Sequence, residues 1–367
     1  MSRRLLSLAL VAALLITLAG TIQAYPQAPR PGAAPLSLAP DSPDNLRGRT
    51  LAARVRPQAT RRSPSALTPD PLIQLMIEQV VTSTVLQYER ELAGEVPVWV
   101  DGGWYTITSR LTYSGTPIEK ATHYVGQHFA SLGLDVEYQN WSSSTNPNVV
   151  GELHAPFDPD DVWIICAHLD DVWGTPGADD NASGSVAVLI AADILTQYEW
   201  GCTLRFALWT GEEQGLLGSA AYAHRAQQNG ENIVGVLNLD MIAYNTKGSS
   251  PGIDLYYNPG IAATQQLALL FADVVPAYGL NLVPQVLTGG PGGSDHQSFW
   301  SHGYSAILAI EDEADFNPQY HKPGDTPANN DLLYFTEYVK ASLGTFVHMS
   351  GCLIPFHIYL PLIVQGA

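Results

Sequence analysis

Residues 162–171 read VWIICAHLDD, an apolar run that ends on a histidine and two aspartates. The run carries no charge before the histidine and is rich in β-branched side chains, which is typical of a strand buried on both faces of a parallel sheet. His168 and Asp170 would then lie at the carboxyl end of this strand. Because open α/β sheets bind ligands beyond the carboxyl ends of their strands, the stretch indicates both a fold and the place of a site.

The rest of the chain from residue 71 onward alternates strand-like and helix-like runs. Further strands are predicted over 134–141, 148–154, 203–209, 234–240, 253–257 and 306–310. Helices are predicted over 72–93, 117–132, 184–198, 216–229, 262–278, 294–301 and 332–349. Strands that alternate with helices of this length predict βαβ units and a sheet covered on both faces. We therefore expect an α/β fold, a three-layer αβα sandwich around a central mixed, mostly parallel sheet.

The first residues have the composition of a leader. Arginines at positions 3 and 4 precede an apolar run over 5–19, and small residues follow up to Ala24. This pattern predicts a secretory signal peptide over 1–24. A membrane anchor is the alternative, but the run is shorter than the roughly 20 residues that a spanning helix needs. We expect the protein to be secreted, or associated with the cell envelope.

Composition also divides the rest of the chain. Residues 25–71 contain ten prolines and few aromatic residues, so they bury too little apolar surface to fold alone and are predicted to be a disordered propeptide or linker. Residues 72–352 are predicted to form the folded domain. Residues 353–367 form an apolar tail that is too short and too proline-broken to span a bilayer. This tail could be an edge strand or an attachment signal.

Charge and cysteine content exclude several classes of protein. The net charge is −18, and residues 71–367 hold 32 of the 35 acidic residues but only 8 of the 17 basic ones. A body this acidic argues against nucleic acid or an anionic membrane as partner. The three cysteines are too few and too scattered for a disulfide framework or a cysteine-rich zinc module. Cys166 is predicted to be a buried thiol, while Cys202 and Cys352 could form a disulfide.

Five segments, in order along the chain, supply carboxylate and imidazole groups. They are CAHLDD (166–171), GADDNASG (177–184), GEEQGLLGS (211–219), LNLDMI (237–242) and YHKPGDT (320–326). Divalent zinc binds histidine nitrogen and carboxylate oxygen in proteins. Each residue alone has an ordinary alternative, such as a surface histidine, a helix cap or a turn carboxylate. Their joint occurrence, three times at a predicted strand end, favours a site for two metal ions. The candidate ligands are His168, Asp180, Glu213, Asp240 and His321.

Two spacings within these segments have a mechanical meaning. Asp170 lies two residues after His168, so in an extended segment both side chains face the same side. Asp170 is therefore predicted to accept the imidazole N–H and fix the tautomer of His168. The adjacent side chains of Glu212 and Glu213 point in different directions. One of them can bind metal while the other serves as a base.

These motifs together resemble a known family. With the helix before GLDVE, the strand NVVGEL and the stretch SDHQSFW (294–300), the chain resembles the di-zinc metallopeptidase family of secreted bacterial leucyl aminopeptidases. That family also contains glutamate carboxypeptidases and glutaminyl cyclases. The resemblance runs from about residue 118 to about residue 333. It implies that residues 72–352 form a peptidase domain with the zinc-dependent exopeptidase fold and two Zn²⁺ ions.

The resemblance also implies roles, position by position. His168 and Asp240 would bind the first zinc, Glu213 and His321 the second, with Asp180 as the bridge, Glu212 as general base and Asp170 as the residue that orients His168. A cis peptide between Asp180 and Asn181 is implied as well. The implied reaction is removal of N-terminal residues from peptides by a metal-bridged hydroxide, with Glu212 handling the proton.

One departure from the family pattern concerns the oxyanion. Some members carry a tyrosine before the SDH stretch that helps to hold the carbonyl oxygen, but Pro291 stands at that position here. Tyr320, beside His321, is a substitute candidate for binding substrate at the oxyanion, and packing is its alternative role. A role of the Gly-rich loop 289–293 in shaping the pocket is the other alternative, so the oxyanion donor stays open at this point.

Other functions remain open within and beyond the family. A carboxypeptidase or dipeptidase would use the same metal site. A glutaminyl cyclase uses one zinc, and the complete two-metal set argues against it. A non-catalytic binding ectodomain is the alternative from another class, although relatives of that kind lose ligands that this chain keeps. We expect peptides as substrates, no nucleic-acid partner, no membrane span after removal of the leader, and a monomer.

Overall fold

The computed structural model describes residues 67–142, 144–156, 160–290 and 293–355. The predicted signal peptide, nearly all of the predicted propeptide, Pro291 and the tail beyond residue 355 lie outside the described residues. The predicted domain over 72–352 falls within them apart from three short gaps. Among the described helices, none combines the length and apolar character needed to cross a membrane.

Ten strands are described, and eight of them form one sheet. The strands are β1 (Val98–Val100), β2 (Gly103–Tyr105), β3 (Asp135–Gln139), β4 (Asn148–Leu153), β5 (Asp161–His168), β6 (Thr203–Trp209), β7 (Asn232–Leu239), β8 (Gly252–Tyr257), β9 (Val283–Thr288) and β10 (Ala306–Glu311). The large sheet has the order β3-β4-β6-β5-β7-β10-β8-β9, while β1 and β2 pair as a separate hairpin.

The centre of the large sheet is parallel. Strands β6, β5, β7 and β10 run in one direction as neighbours. Antiparallel pairs flank this centre, β4 with β6 on one side and β8 with β10 on the other. The carboxyl ends of four adjacent strands therefore meet along one edge. The prediction of a mixed, mostly parallel sheet is confirmed.

Helices cover both faces of the sheet. They are α1 (Pro71–Glu78), α2 (Thr82–Leu92), α3 (Thr116–Ser131), α4 (Gly184–Leu195), α5 (Leu217–Asn229), α6 (Thr264–Ala277), α7 (His296–Ser301) and α8 (Leu332–Ser350). Alternate residues of a strand point to opposite faces, so Phe206 of β6 packs in the larger core under α3, α4 and α8. Its neighbour Ala207 packs in a smaller core with Tyr222 of α5 and Phe299 of α7. The predicted three-layer sandwich is confirmed.

One prediction of local structure is wrong, and strand β9 and the hairpin of β1 and β2 are absent from the sequence prediction. The single helix over 72–93 is two helices, because Val81 between them is extended and lies among β-branched residues, which have low helix propensity. Strand β9 was assigned to no element because Pro284 interrupts its pattern. It pairs with β8 alone, at the edge of the sheet, where proline is tolerated.

A disulfide ties the end of the domain to the sheet. Cys202, just before β6, is bonded to Cys352, just after α8, and Cys166 is a buried free thiol. Leu353 forms an antiparallel bridge with Trp200, so the start of the apolar tail does pair with the chain preceding β6. The disulfide closes a loop with a sequence separation of 150 residues.

Removing this disulfide is expected to destabilise the domain. A cross-link over so long a loop restricts the unfolded chain strongly, and losing one typically costs about 2–5 kcal/mol. We expect the free energy of unfolding of the double variant Cys202→Ser, Cys352→Ser to be lower than that of the wild type by roughly that amount. Circular dichroism in urea measures it, and the variant should unfold at a lower urea concentration. Equal unfolding midpoints for the variant and the oxidised wild type would contradict this expectation.

Candidate metal centre

The predicted site residues meet at the carboxyl edge of the parallel strands. His168 is the last residue of β5, and Asp240 directly follows β7. Glu212 and Glu213 come three and four residues after β6. His321 lies in the loop after β10, with a left-handed backbone at φ 56°. Such a conformation costs free energy for a non-glycine residue and persists where the surroundings fix it.

Asp180 stands between two groups of donor atoms. Its Oδ1 lies 3.3 Å from Nε2 of His168, and that nitrogen is also 3.3 Å from Oδ1 of Asp240. Its Oδ2 lies 3.1 Å from Nε2 of His321, and that nitrogen is 3.1 Å from Oε2 of Glu213. Each oxygen of the Asp180 carboxylate thus faces one imidazole, and each imidazole also contacts one further carboxylate.

Asp170 does not hold His168 in the predicted way. The Nδ1 atom of His168 is 3.1 Å from the backbone carbonyl oxygen of Asp170, whereas the nearest carboxylate oxygen is 3.8 Å away. The carboxylate instead accepts hydrogen bonds from the backbone N–H groups of Glu212 and Glu213, at 3.2 and 3.4 Å, and from the Thr112 hydroxyl at 2.7 Å. Asp170 therefore positions the two glutamates as well as the imidazole, through different atoms.

The turn that carries Asp180 is fixed from the far end of the chain. Both oxygens of the buried Asp325 carboxylate accept backbone N–H groups, from Asp179 at 2.8 Å and from Asp180 at 3.1 Å. The Asp180–Asn181 peptide bond is cis, as the resemblance implies. The Asn181 side chain donates to the carbonyl of Leu239, at the end of β7. The Asp180 segment is thereby joined to the strand that precedes Asp240.

Asp325 and a second group were missed by sequence reasoning. Asp325 belongs to the quoted segment YHKPGDT, so its presence there was the available signal. The buried Arg110 donates to the carbonyls of Leu169 and Gly177, on either side of the loop between β5 and the Asp180 turn. Its own backbone N–H donates to the carboxylate of Asp171. No sequence motif indicates the role of Arg110, because its partners are backbone carbonyls, which every residue has.

The neighbouring carboxylates raise the pKa of both imidazoles. Burial disfavours charge on His168, but Asp240 outweighs burial and the pKa of His168 lies well above its usual range. Burial also lowers the pKa of His321, yet its hydrogen bonds with Asp180 and Glu213 raise that pKa to about 10. The same two imidazoles more than offset burial at Asp180, so the pKa of Asp180 is lowered.

The positive charge near Glu212 and Glu213 is too small to offset their burial, so the pKa of each is raised. Burial, with the nearby Asp180 carboxylate, raises the pKa of Glu213 to about 8. Burial likewise raises the pKa of Glu212 well above its usual range, and the neighbouring Glu213 adds to this. One oxygen of Glu213, Oε1, is buried and has no hydrogen-bond partner among the described residues. Buried carboxylates are normally paired with a cation or coordinate a metal, so the residues present suit added positive charge.

The donor set fits divalent zinc. Ligand atoms of His168, Glu212 and Asp240 lie within 4.8 Å of one another, and so do those of His168, Asp180 and Glu213. Imidazole nitrogen and carboxylate oxygen are ligands that zinc takes, and no cysteine is needed. Glu212 lies close to His168 and Asp240, and it takes no part in the contacts of Asp180 with the two imidazoles.

Tyr320 and the SDH stretch border this centre. The ring of Tyr320 stacks on His321 with centroids 3.7 Å apart, so its packing supports that imidazole. Asp295 and His296 are fully buried, and none of their side-chain nitrogen and oxygen atoms has a hydrogen-bond partner among the described residues. Burial raises the pKa of Asp295 to about 7 and lowers that of His296 to about 3. Sequence reasoning used this stretch for the resemblance and gave neither residue a role.

Comparison with known families agrees with the fold and the motifs. Peptidase family M28 matches residues 148–343, which hold all five segments and all five candidate ligands. The chain belongs to this family, and the predicted resemblance is confirmed.

Individual relatives are enzymes of larger size. Leucine aminopeptidase 2 of Trichophyton rubrum is 29% identical over 215 residues, which is 52% of this chain and 42% of that protein. A probable leucine aminopeptidase 2 of Aspergillus oryzae is 30% identical over 230 residues, 56% of this chain and 44% of that protein. The chain thus matches less than half the length of these curated relatives.

Solved structures share the fold at low sequence identity. LapB from Legionella pneumophila superposes with a TM-score of 0.67 at 20% identity, covering 80% of this chain and 78% of LapB. An aminopeptidase from Aneurinibacillus sp. strain AM-1 gives a TM-score of 0.60 at 18% identity, covering 78% of this chain and 97% of that enzyme.

Proposed function

We propose that the protein is a secreted, zinc-dependent aminopeptidase that removes N-terminal residues from peptides. The observation that carries this proposal is the position of Asp180, whose two oxygens face separate histidine–carboxylate pairs. One carboxylate placed in this way can join two metal ions. Family membership and the leucine aminopeptidases among the relatives favour peptide bonds as the target and the amino end as the point of attack.

The ligands divide between two zinc ions. His168 and Asp240 would hold one ion, Glu213 and His321 the other, and Asp180 would contact both. When bound, the ions supply Lewis-acid polarisation of a carbonyl oxygen and lower the pKa of water. The links from Asp325 to the Asp180 backbone and from Asp170 to the glutamate backbone keep the ligand set in place.

Glu212 is proposed to move the proton. It takes a proton from the water whose oxygen attacks the scissile carbonyl carbon. As the carbon–nitrogen bond breaks, Glu212 gives a proton to the departing amine, so the products are a free amino acid and a shortened peptide. The backbone N–H of Glu212 is bonded to Asp170, which fixes where its carboxylate can reach. Tyr320 is proposed to help hold the carbonyl oxygen from its place on His321.

Secretion is proposed on separate grounds. The leader-like first 24 residues predict export, and disulfides persist in oxidising compartments outside the cytosol. The Cys202–Cys352 bond suits such a compartment.

A panel of end-blocked peptides tests the activity. Leucine-containing tripeptides with free ends, with an acetylated N-terminus and with an amidated C-terminus are incubated with the full chain, with and without a chelator. We expect release of the N-terminal leucine from the free and amidated peptides, no cleavage of the acetylated peptide, and loss of activity with the chelator. Cleavage of the acetylated peptide with release of its C-terminal residue would show a carboxypeptidase instead.

A further inference from the structure

A cavity of about 600 Å³ is lined by chain segments that lead to the metal centre. Its walls include Tyr244, four residues after Asp240, and Gln319, two residues before His321. The start of α8 completes the wall, and the backbone N–H of Asp331 there donates to the carbonyl of Ala243 at 3.0 Å. Segments that carry one ligand of each proposed zinc thus border this cavity. Its volume is within the range of about 300–1,000 Å³ that is usual for ligand pockets.

Lys247 lines this cavity and forms no ion pair with the other described residues. Residues 71–367 contain eight lysines and arginines, and all eight lie within the described residues. Arg90, Lys120, Arg205, Arg225 and Lys340 form ion pairs, while Arg110 and Lys322 donate to backbone carbonyls. Within that part of the chain, Lys247 alone makes neither kind of contact, and it is exposed.

The turn that presents Lys247 is itself held in place. The Asp315 carboxylate accepts the backbone N–H of Thr246 at 2.8 Å and the Ser249 hydroxyl at 2.7 Å. The backbone N–H of Ser249 also donates to the carbonyl of Thr246 at 2.9 Å. Lys247 therefore stands on a turn fixed on both sides, and its ammonium group has three unused donors.

A second cavity provides the contrast. It is about 340 Å³ and is lined by Arg205 and Arg225. Arg205 is paired with Glu152 and Glu231, and Arg225 is paired with Glu137. These cations are neutralised within the protein by the ion pairs named. Of these two cavities, the one at Lys247 has a cation that forms no ion pair with the described residues, and its lining segments lead to Asp240 and His321.

We propose that this cavity takes the part of a peptide substrate downstream of the cleaved bond, and that Lys247 pairs with a carboxylate carried there. The inference rests on the proposed aminopeptidase function. The carboxylate is the free C-terminus of a short peptide or an acidic side chain near it. Because the domain is strongly acidic, such a substrate is repelled over most of the surface. Lys247 supplies attraction at one place, so the enzyme prefers short peptides with this charge.

Three matched substrates test the preference. They are Leu-Gly-Gly, its C-terminal amide, and the amide of Leu-Gly-Glu, and each is compared by kcat/KM at low salt. Exposed ion pairs are weak, so we expect a preference of about two- to fivefold for a carboxylate-bearing substrate over the uncharged amide. Preference for the first peptide identifies the C-terminus as the carboxylate, and preference for the third identifies the side chain.

Variants locate the effect. Lys247→Gln is expected to bring the ratio close to one, Lys247→Glu to bring it to one or below, and Lys247→Arg to keep it. Using a ratio within each variant cancels changes in folding or in active fraction. The control is Lys120→Gln on α3. It also removes one positive charge, from an ion pair with Asp101, and should keep the wild-type ratio. In the wild type, 0.5 M salt should reduce the ratio, because screening weakens exposed charge pairs.

Two results would overturn the inference. One is equal cleavage of all three substrates by the wild type, and the other is an unchanged preference in Lys247→Gln. Leucine p-nitroanilide, which has no downstream peptide, separates this failure from that of the proposed function. If the wild type cleaves the anilide but shows no preference for carboxylate-bearing peptides, the proposed role of Lys247 is wrong and the aminopeptidase proposal stands. Absence of activity on the anilide and on all peptides removes the aminopeptidase proposal and this inference with it.

Discussion

Replacing Glu212 with glutamine is expected to lower kcat for leucine p-nitroanilide by about 10²–10⁴-fold, the range typical of a lost general base. Glutamine keeps the size of the side chain but cannot take a proton from water. Zinc content should stay at the wild-type level, because the links through Asp180 use His168 and His321 and do not require Glu212. Kinetics and elemental analysis of the same preparation measure both quantities.

Two variants serve as controls for this result. Glu78→Gln removes an exposed carboxylate on α1, which accepts a hydrogen bond from Gln74, and should leave kcat unchanged. Glu213→Gln should lower zinc content as well as activity, since Glu213 contacts His321 as a proposed ligand. Turnover of Glu212→Gln within a factor of two of the wild type would remove Glu212 from its role.

Replacing Asp180 with alanine is expected to have an even broader effect. It removes both oxygens that face the two imidazoles, so the two metal positions lose their shared ligand. Losing an outer partner of a metal ligand already costs about 10–100-fold in affinity or activity. We expect the loss of a direct, shared ligand to exceed 100-fold in kcat/KM on that scale. Calorimetric titration of the metal-free variant with zinc should show weakened binding.

The matched surface control is Asp135→Ala, since Asp135 lies at the edge of the sheet and, among the described residues, pairs with the exposed His154. It should bind zinc and turn over substrate as the wild type does. Wild-type zinc affinity in Asp180→Ala would contradict the bridging role, even if activity were lost.

Much of the sheet and of the ligand set could be predicted because the signals are local. An uncharged run such as 162–167 specifies a buried strand, and the residue after it is then placed at an edge of the sheet. His168 and Asp240 follow this rule directly, and the structure has both at strand ends. The division of ligands between two metals came from the resemblance, because spacing alone cannot say which donors share an ion.

Contacts between distant segments could not be predicted. Asp325 binds backbone groups of Asp179 and Asp180, which lie 146 and 145 residues away in the sequence. The Asp170 carboxylate was assigned to His168 by spacing, yet the bend after β5 turns it to the backbone of Glu212. Such contacts depend on loop paths, which hydrophobic periodicity does not encode. The role of Lys247 could not be predicted for a related reason, since a lysine without an ion pair is recognised only once the positions of the surrounding carboxylates are known.

The central claim is that Asp180 joins two zinc ions in one centre. Native mass spectrometry of the purified chain, first stripped of metal and then saturated with zinc, measures the number of ions bound. We predict a mass increase of two zinc ions per chain for the wild type, with aminopeptidase activity recovered in the same titration. Saturation at a single zinc ion, or activity that returns without zinc, would contradict the account.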